Sequence, residues 1–186
     1  MRKLFIVLLS IFLYACAATP SSGEVALVDL YPDLPEDNHF QVIAKDDLED
    51  FMQHGTGILF FGFPECPWCQ AYLPLAEEVL SSVDVTCRYY NIYADKKQDR
   101  PFYDEICTLL ESINDSGHEI VRYDNDGKQV VYMPLMMFIE NGRIVSYDDE
   151  TCTEDSSVIS PQDYWTKDKI TALQQRLQEA SSFVKA

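Results

Sequence analysis

The chain has 186 residues, 47% hydrophobic, 12% aromatic and 24% charged, a globular composition that excludes global disorder and leaves room for one ordinary domain. Fourteen basic side chains face thirty-one acidic ones, and the formal net charge of −17 repels phosphate backbones, so no nucleic-acid partner is expected. Six cysteines, at positions 16, 66, 69, 87, 107 and 152, are too few for a cysteine-dense scaffold, and their placement decides the reading.

Met1, Arg2 and Lys3 precede an apolar run over residues 4–13 and then small residues, the pattern of a secretory signal peptide over 1–15. The run is too short to span a bilayer comfortably, and the alternative is a buried N-terminal element. Leu13, Tyr14, Ala15 and Cys16 resemble a bacterial lipobox, in which Cys16 is lipidated and becomes the first residue. Ala15, Cys16 and Ala17 also fit an ordinary signal-peptidase site, which yields a secreted soluble chain. Either route puts the mature chain outside the cytoplasm, where disulfides persist. Residues 16–38 read as a lipid anchor and tether, with an edge strand over 25–30, and residues 39–186 as the domain.

Within the domain, residues 39–43 alternate weakly, as a strand does. Residues 45–54 place Leu48, Phe51 and Met52 on one helical face, with Gly55 at the helix end. The unbroken apolar run 57–63 predicts a strand buried on both faces. From 66 to 82, apolar positions at 69, 72, 73, 76, 79 and 80 follow helical spacing, and residues 85–93 read as a strand. Pro101 suits a first helical turn, and Phe102, Ile106, Leu109, Leu110 and Ile113 form a stripe over 101–113. Residues 119–123 and 129–132 read as strands around a turn at 124–127. Residues 135–139 and 143–147 flank Asn141 and Gly142, a strong hairpin signal. Ser160 and Pro161 open a final helix that turns Ile170, Leu173, Leu177 and Ala180 inward. This order predicts an α/β domain with a mixed sheet covered by helices on both faces.

Cys66, Pro67, Trp68 and Cys69 follow the buried strand and open a helix. Cysteines at this spacing can close a disulfide across one turn. The first lies at the helix N-terminus, where unpaired N–H groups and the macrodipole favour a thiolate. Cys66 is thus the expected nucleophile and Cys69 the resolving thiol, with the carboxylate of Glu65 opposing ionisation of Cys66.

In residues 57–80 the chain resembles the thioredoxin superfamily: strand, redox motif and active-site helix follow in order, including Pro74 five residues past Cys69. Residues 133–145 resemble the family's second signature, a cis-proline, an apolar strand, an Asn-Gly turn and a return strand. The resemblance implies a thioredoxin fold with about five strands and a cis Met133–Pro134 bond packed on the cysteines. It implies that the Met133 backbone pairs with an incoming peptide, with Pro67, Trp68 and Pro134 at the same substrate-binding surface. It further implies an extracytoplasmic thiol–disulfide oxidoreductase. Such an enzyme needs no diffusible cofactor or metal, acts on proteins bearing thiols or disulfides, and depends on a redox partner for recycling. The chain departs from the family in three places. An insertion over about 95–130 lengthens the path from Cys69 to Pro134, Phe60 stands where thioredoxins carry a buried acid, and Gln70 stands where a lysine is common.

Other readings compete for the same residues. Cys66 and Cys69 could form a purely structural disulfide. A zinc site would need two more ligands, and the histidines at 39, 54 and 118 lack ligand spacing. Trp68 could simply pack on the domain. Cys87 and Cys107 read as buried small hydrophobes, with a Cys107–Cys152 bridge as the alternative. The 124–127 segment lacks the spacing of a calcium loop and reads as a turn. The alternative function is a non-enzymatic accessory lipoprotein that uses the same fold to bind peptides.

Overall fold

The computed structural model describes residues 26–149 and 160–184. Cys16, the leader and Cys152 lie outside these. Five strands form the main sheet: β1 (Phe40–Val42), β2 (Gly57–Phe61), β3 (Cys87–Tyr90), β6 (Leu135–Glu140) and β7 (Arg143–Asp148). Their order is β1-β3-β2-β6-β7, with β1, β3 and β2 parallel and β6 and β7 antiparallel to their neighbours. A separate two-residue pair joins β4 (Arg122–Tyr123) to β5 (Gln129–Val130). The parallel strands are linked through α2 (Lys45–His54) and α3 (Pro67–Val83), as parallel pairing requires. The expected α/β class with a helix-covered five-strand sheet is what the structure has.

The sheet separates two cores by strict alternation. Ile58 and Phe60 of β2, Cys87 and Tyr89 of β3, and Met136 and Phe138 of β6 enter one core, with Leu73, Ala76 and Leu80 of α3 and Leu173 and Leu177 of α7 (Lys167–Ser181). Leu59, Phe61, Met137 and Ile139 enter the other, with Leu48 and Met52 of α2 and Ile106 and Leu110 of α5 (Arg100–Ile113). Every apolar position named for α3 is buried, whereas Phe51, Phe102 and Leu109 are only partly so. Cys87 and Cys107 are buried free thiols.

Several expectations fail for identifiable reasons. The described part of the expected edge strand, residues 26–30, does not form one. Leu27–Leu30 is a short helix, α1, and Leu27, Tyr31 and Leu34 are buried in the core that holds α3. The second half of the expected tether is therefore seated in the domain. Strand 85–93 shortens to β3 because the Asn91 side chain accepts a hydrogen bond from the Ala94 N–H (3.2 Å) and caps an unforeseen helix, α4 (Ile92–Gln98). Strand 57–63 stops at Phe61, and the strands around 124–127 are only two residues each. The Asp124 carboxylate accepts from the N–H groups of Asp126 and Lys128 (both 2.9 Å), so this segment is a turn, as read. The last helix is broken into α6 (Pro161–Tyr164) and α7. The Thr166 hydroxyl caps α7 by accepting from the Lys169 N–H (3.4 Å), and Trp165 leaves the helical path. Ile170 ends up only half-buried.

Polar bonds lock the layers together. Tyr72 of α3 donates to the buried Asp148 carboxylate at the end of β7 (3.1 Å), which also accepts two bonds from Arg176 of α7 (3.0 and 3.1 Å). Burial pushes the Asp148 carboxyl up despite the guanidinium beside it. The β6–β7 turn has Asn141 and Gly142 in the left-handed region (φ 50° and 74°), as an Asn-Gly hairpin demands. The turn docks by donating from Gly142 N–H to the Gly55 carbonyl (2.8 Å). A Cβ at Gly142 would collide with the Gln53 carbonyl, whereas one at Gly127 (φ 72°) meets nothing within 4 Å. Gly142→Ala should therefore cost more than about 2 kcal/mol of stability and Gly127→Ala about 1 kcal/mol. Urea midpoints check this, and equal losses would contradict it.

Candidate redox site

β2 ends at Phe61, and a four-residue loop delivers the chain to the start of α3. The loop closes when the Cys66 N–H donates to the Phe63 carbonyl (3.2 Å). Cys66 is the N-cap of α3 and Pro67 its first residue, a position that needs no N–H. The Cys66 sulfur, in place of the usual hydroxyl or carboxylate, accepts from the Cys69 N–H (3.3 Å). The motif expected to open a helix does so, and Pro74 sits inside α3.

The two sulfurs occupy unlike surroundings. Cys66 keeps 6% of its surface exposed and Cys69 none, so Cys66 is the sulfur an incoming molecule can meet. The hydrogen bond from Cys69, helped by the backbone N–H groups of Cys69 and Trp68, outweighs burial and pulls the Cys66 thiol down to about 7. Burial, then Cys66 itself, pushes the Cys69 thiol far up. Glu65 is exposed and does not reverse the balance at Cys66. The sulfurs are present as free thiols.

Met133–Pro134 is a cis bond, and the Met133 carbonyl lies 3.9 Å from the Cys66 sulfur, which donates to it. Two segments 67 residues apart thus meet at one sulfur. Pro134 is buried, Met133 half-buried and Pro67 exposed. Trp68 is half-buried with its ring edge-on to Tyr164 (centroids 5.4 Å), so it packs on the domain as well as bordering the motif.

Sequence reasoning missed the contacts that Gln70, Phe63, Tyr93, Tyr31 and Tyr89 make around the motif. Gln70 donates to the carbonyls of Leu30 (2.8 Å) and Pro64 (2.7 Å), tying the N-terminal segment to the redox loop. Phe63 stacks on Tyr93 (4.1 Å). Tyr31 and Tyr89 share a buried hydroxyl–hydroxyl bond (3.0 Å), and Tyr89 donates to the Gly62 carbonyl (3.3 Å). Nothing in the sequence marks Tyr31, which lies in a stretch composed like a linker.

Among the described residues, no group of three or more His, Cys, Asp or Glu side chains could hold a metal ion, and no helix is long and apolar enough to cross a membrane. No protein-family model matches the chain, and no curated protein matches it. The geometry therefore stands alone: one accessible, acid-shifted thiol backed by one buried thiol. Alkylation of Cys66 by iodoacetamide, read by mass on the peptide containing it, should rise with pH through a midpoint near 7. Below that the unreactive thiol dominates. Cys69 should stay unmodified in the folded chain, and a Cys66 midpoint at the free-cysteine value of about 8.5 would refute the assignment.

Proposed function

We propose that this chain is a thiol–disulfide oxidoreductase with a thioredoxin-like fold. It exchanges disulfides with protein clients outside the cytoplasm, and lipidation of Cys16 anchors it to a membrane. The observation that carries the reading is the Cys66 sulfur at a helix N-terminus, 3.9 Å from the carbonyl that precedes a cis-proline, with Cys69 buried beneath it. The strand order, with two antiparallel strands following the parallel set, supports the fold part of the reading. Between β3 and β6 the chain holds α4, α5 and the β4–β5 pair; on this reading about residues 95–130 of that stretch are an insertion, entered through α4, whose Tyr93 stacks on Phe63 of the redox loop.

The chemistry balances without a cofactor. The Cys66 thiolate attacks one sulfur of a client disulfide, forms a mixed disulfide and expels the client's other sulfur as a thiolate, which is protonated. Cys69 then loses its proton and attacks Cys66. The client's remaining sulfur leaves and takes up a proton, so the client gains two thiols while the enzyme closes its disulfide. Met133 offers backbone to an extended client segment in β-augmentation fashion, with Pro67, Trp68 and Pro134 around it. A redox partner reopens the Cys66–Cys69 disulfide. A nucleophile held near 7 lacks the strongly stabilised thiolate, at about 3.5, of a powerful oxidant, which favours net reduction of clients.

Cys66→Ala should abolish disulfide exchange. Cys69→Ser should accumulate client mixed disulfides that survive non-reducing electrophoresis. If it accumulates none, the accessory-binding alternative gains the ground. The reduction potential of the pair fixes the direction: a value near about −270 mV is expected, and one near about −120 mV would make the chain an oxidase.

A further inference from the structure

Two segments frame Cys66, and α4 reaches both. In the redox loop, the Phe63 carbonyl accepts from the Cys66 N–H (3.2 Å), and the Phe63 ring stacks on Tyr93 of α4 (centroids 4.1 Å). Ahead of the cis bond, the Val131 N–H donates to the Tyr103 hydroxyl (2.9 Å), two residues before Met133. Each of these rings carries a lysine of α4. Lys97 Nζ lies 4.3 Å from the centre of the Tyr93 ring, and Lys96 Nζ lies 5.7 Å from the centre of the Tyr103 ring. Lys97 is exposed and Lys96 half-buried.

The acids nearest in the chain are held by other groups. Lys45 pairs with Asp95 and Asp99 (both 2.8 Å), the Tyr90 hydroxyl also donates to Asp95 (2.7 Å), and Arg100 pairs with Asp104 (2.7 Å). Among the described residues, no carboxylate pairs with Lys96 or Lys97 within 4.0 Å. In a chain of formal net charge −17, these two adjacent cations are an uncompensated positive charge on the helix that borders the reactive sulfur. We propose that Lys96 and Lys97 select the client: the preferred disulfide is flanked by aspartate or glutamate, and those carboxylates meet the α4 lysines while the extended client segment lies along Met133.

The proposal rests on the redox reading above and names its substrate class. The sign of the charge reverses locally, so an acidic segment is turned toward α4 and away from the remaining acidic surface. Glu65, exposed in the redox loop, repels a carboxylate approaching from the loop itself and directs the client's acids to the α4 side. Contact with the rings restrains the long lysine side chains, so less rotamer freedom is lost when a carboxylate arrives. Tyr132, next to Met133, is 49% exposed and offers the same segment an apolar contact. An anionic lipid surface would also attract lysines, but a plane would meet the acidic remainder of the chain as well, which a single peptide segment avoids.

The test uses the full chain, reduced, and two disulfide-linked model peptides. They differ only beside the cysteines, where one has Asp and Glu and the other Asn and Gln. Acid-quenched samples separated by chromatography give the second-order rate of attack on each. The acidic peptide should react faster, and the preference should fade between about 0.02 and 0.5 M salt. Replacing both lysines, Lys96→Gln with Lys97→Gln, should lower the acidic-to-amide rate ratio about fivefold, the scale of two exposed ion pairs. Each single variant should give an intermediate ratio. Lys128→Gln, an equal change of charge beside the 124–127 turn, should leave the ratio where it was, and thermal melts check folding. A change in Cys66 itself would slow both peptides alike, so the ratio reads recognition alone. Equal rates for the two peptides in the unsubstituted chain would overturn the proposal, and so would a preference that survives the double variant. If the double variant weakens retention on phosphatidylglycerol vesicles and leaves the peptide ratio unchanged, the lysines serve a lipid surface and the proposal falls. If neither peptide disulfide is attacked, the redox reading itself falls, whereas attack on both at equal rates leaves that reading standing.

Discussion

The central strand β2 has no solvent face and no free edge. Ile58 and Phe60 enter one core, Leu59 and Phe61 the other, and β3 and β6 pair with its two sides. A strand held in this way cannot slip by one residue without exchanging its cores, so its end point is fixed. Because the strand ends at Phe61, the loop of residues 62–65 and the first turn of α3 begin at fixed places. The same sheet carries β6, whose pairing of Leu135 with Phe61 sets the preceding Met133 carbonyl over Cys66. The geometry at the sulfur is thus inherited from a hydrophobic register five residues before Cys66 on one strand and two residues after Met133 on the other.

Within that frame, one helical turn separates two thiols into different electrostatic classes. Cys66 sits where the helix offers N–H groups, and its negative charge is welcome there. Cys69 sits one turn deeper among aromatic rings, where charge is penalised. The contrast suits a sequential reaction, since only one of the pair is ready to attack from the resting state.

The mixed sheet covered by helices on both faces and the helix opening at Cys66 were legible because they rest on periodicity and on the position of Pro67 and the cysteines. The Asn-Gly turn was legible because the left-handed φ at residues 141 and 142 demands those residue types. Three things were not. Tyr31 and Leu34 sit among prolines and acids, and composition describes a segment's average rather than the two side chains that find a core. The helix α4 starts inside an apolar run that reads as strand, and only the Asn91 cap betrays it. The break between α6 and α7 depends on Thr166 capping against a continuous periodic pattern. In each case a local polar contact or a tertiary pocket overrode the pattern.

The Gln70 amide has a mechanical side. By holding the Leu30 and Pro64 carbonyls at once, it welds the N-terminal segment to the loop two residues before Cys66. Leu27, Tyr31 and Leu34 root that segment in the core. A displacement of Leu30 is therefore a displacement of Pro64. A load on the segment at Leu27–Leu30 is thus passed straight to the loop that carries Cys66, without a slack joint between them.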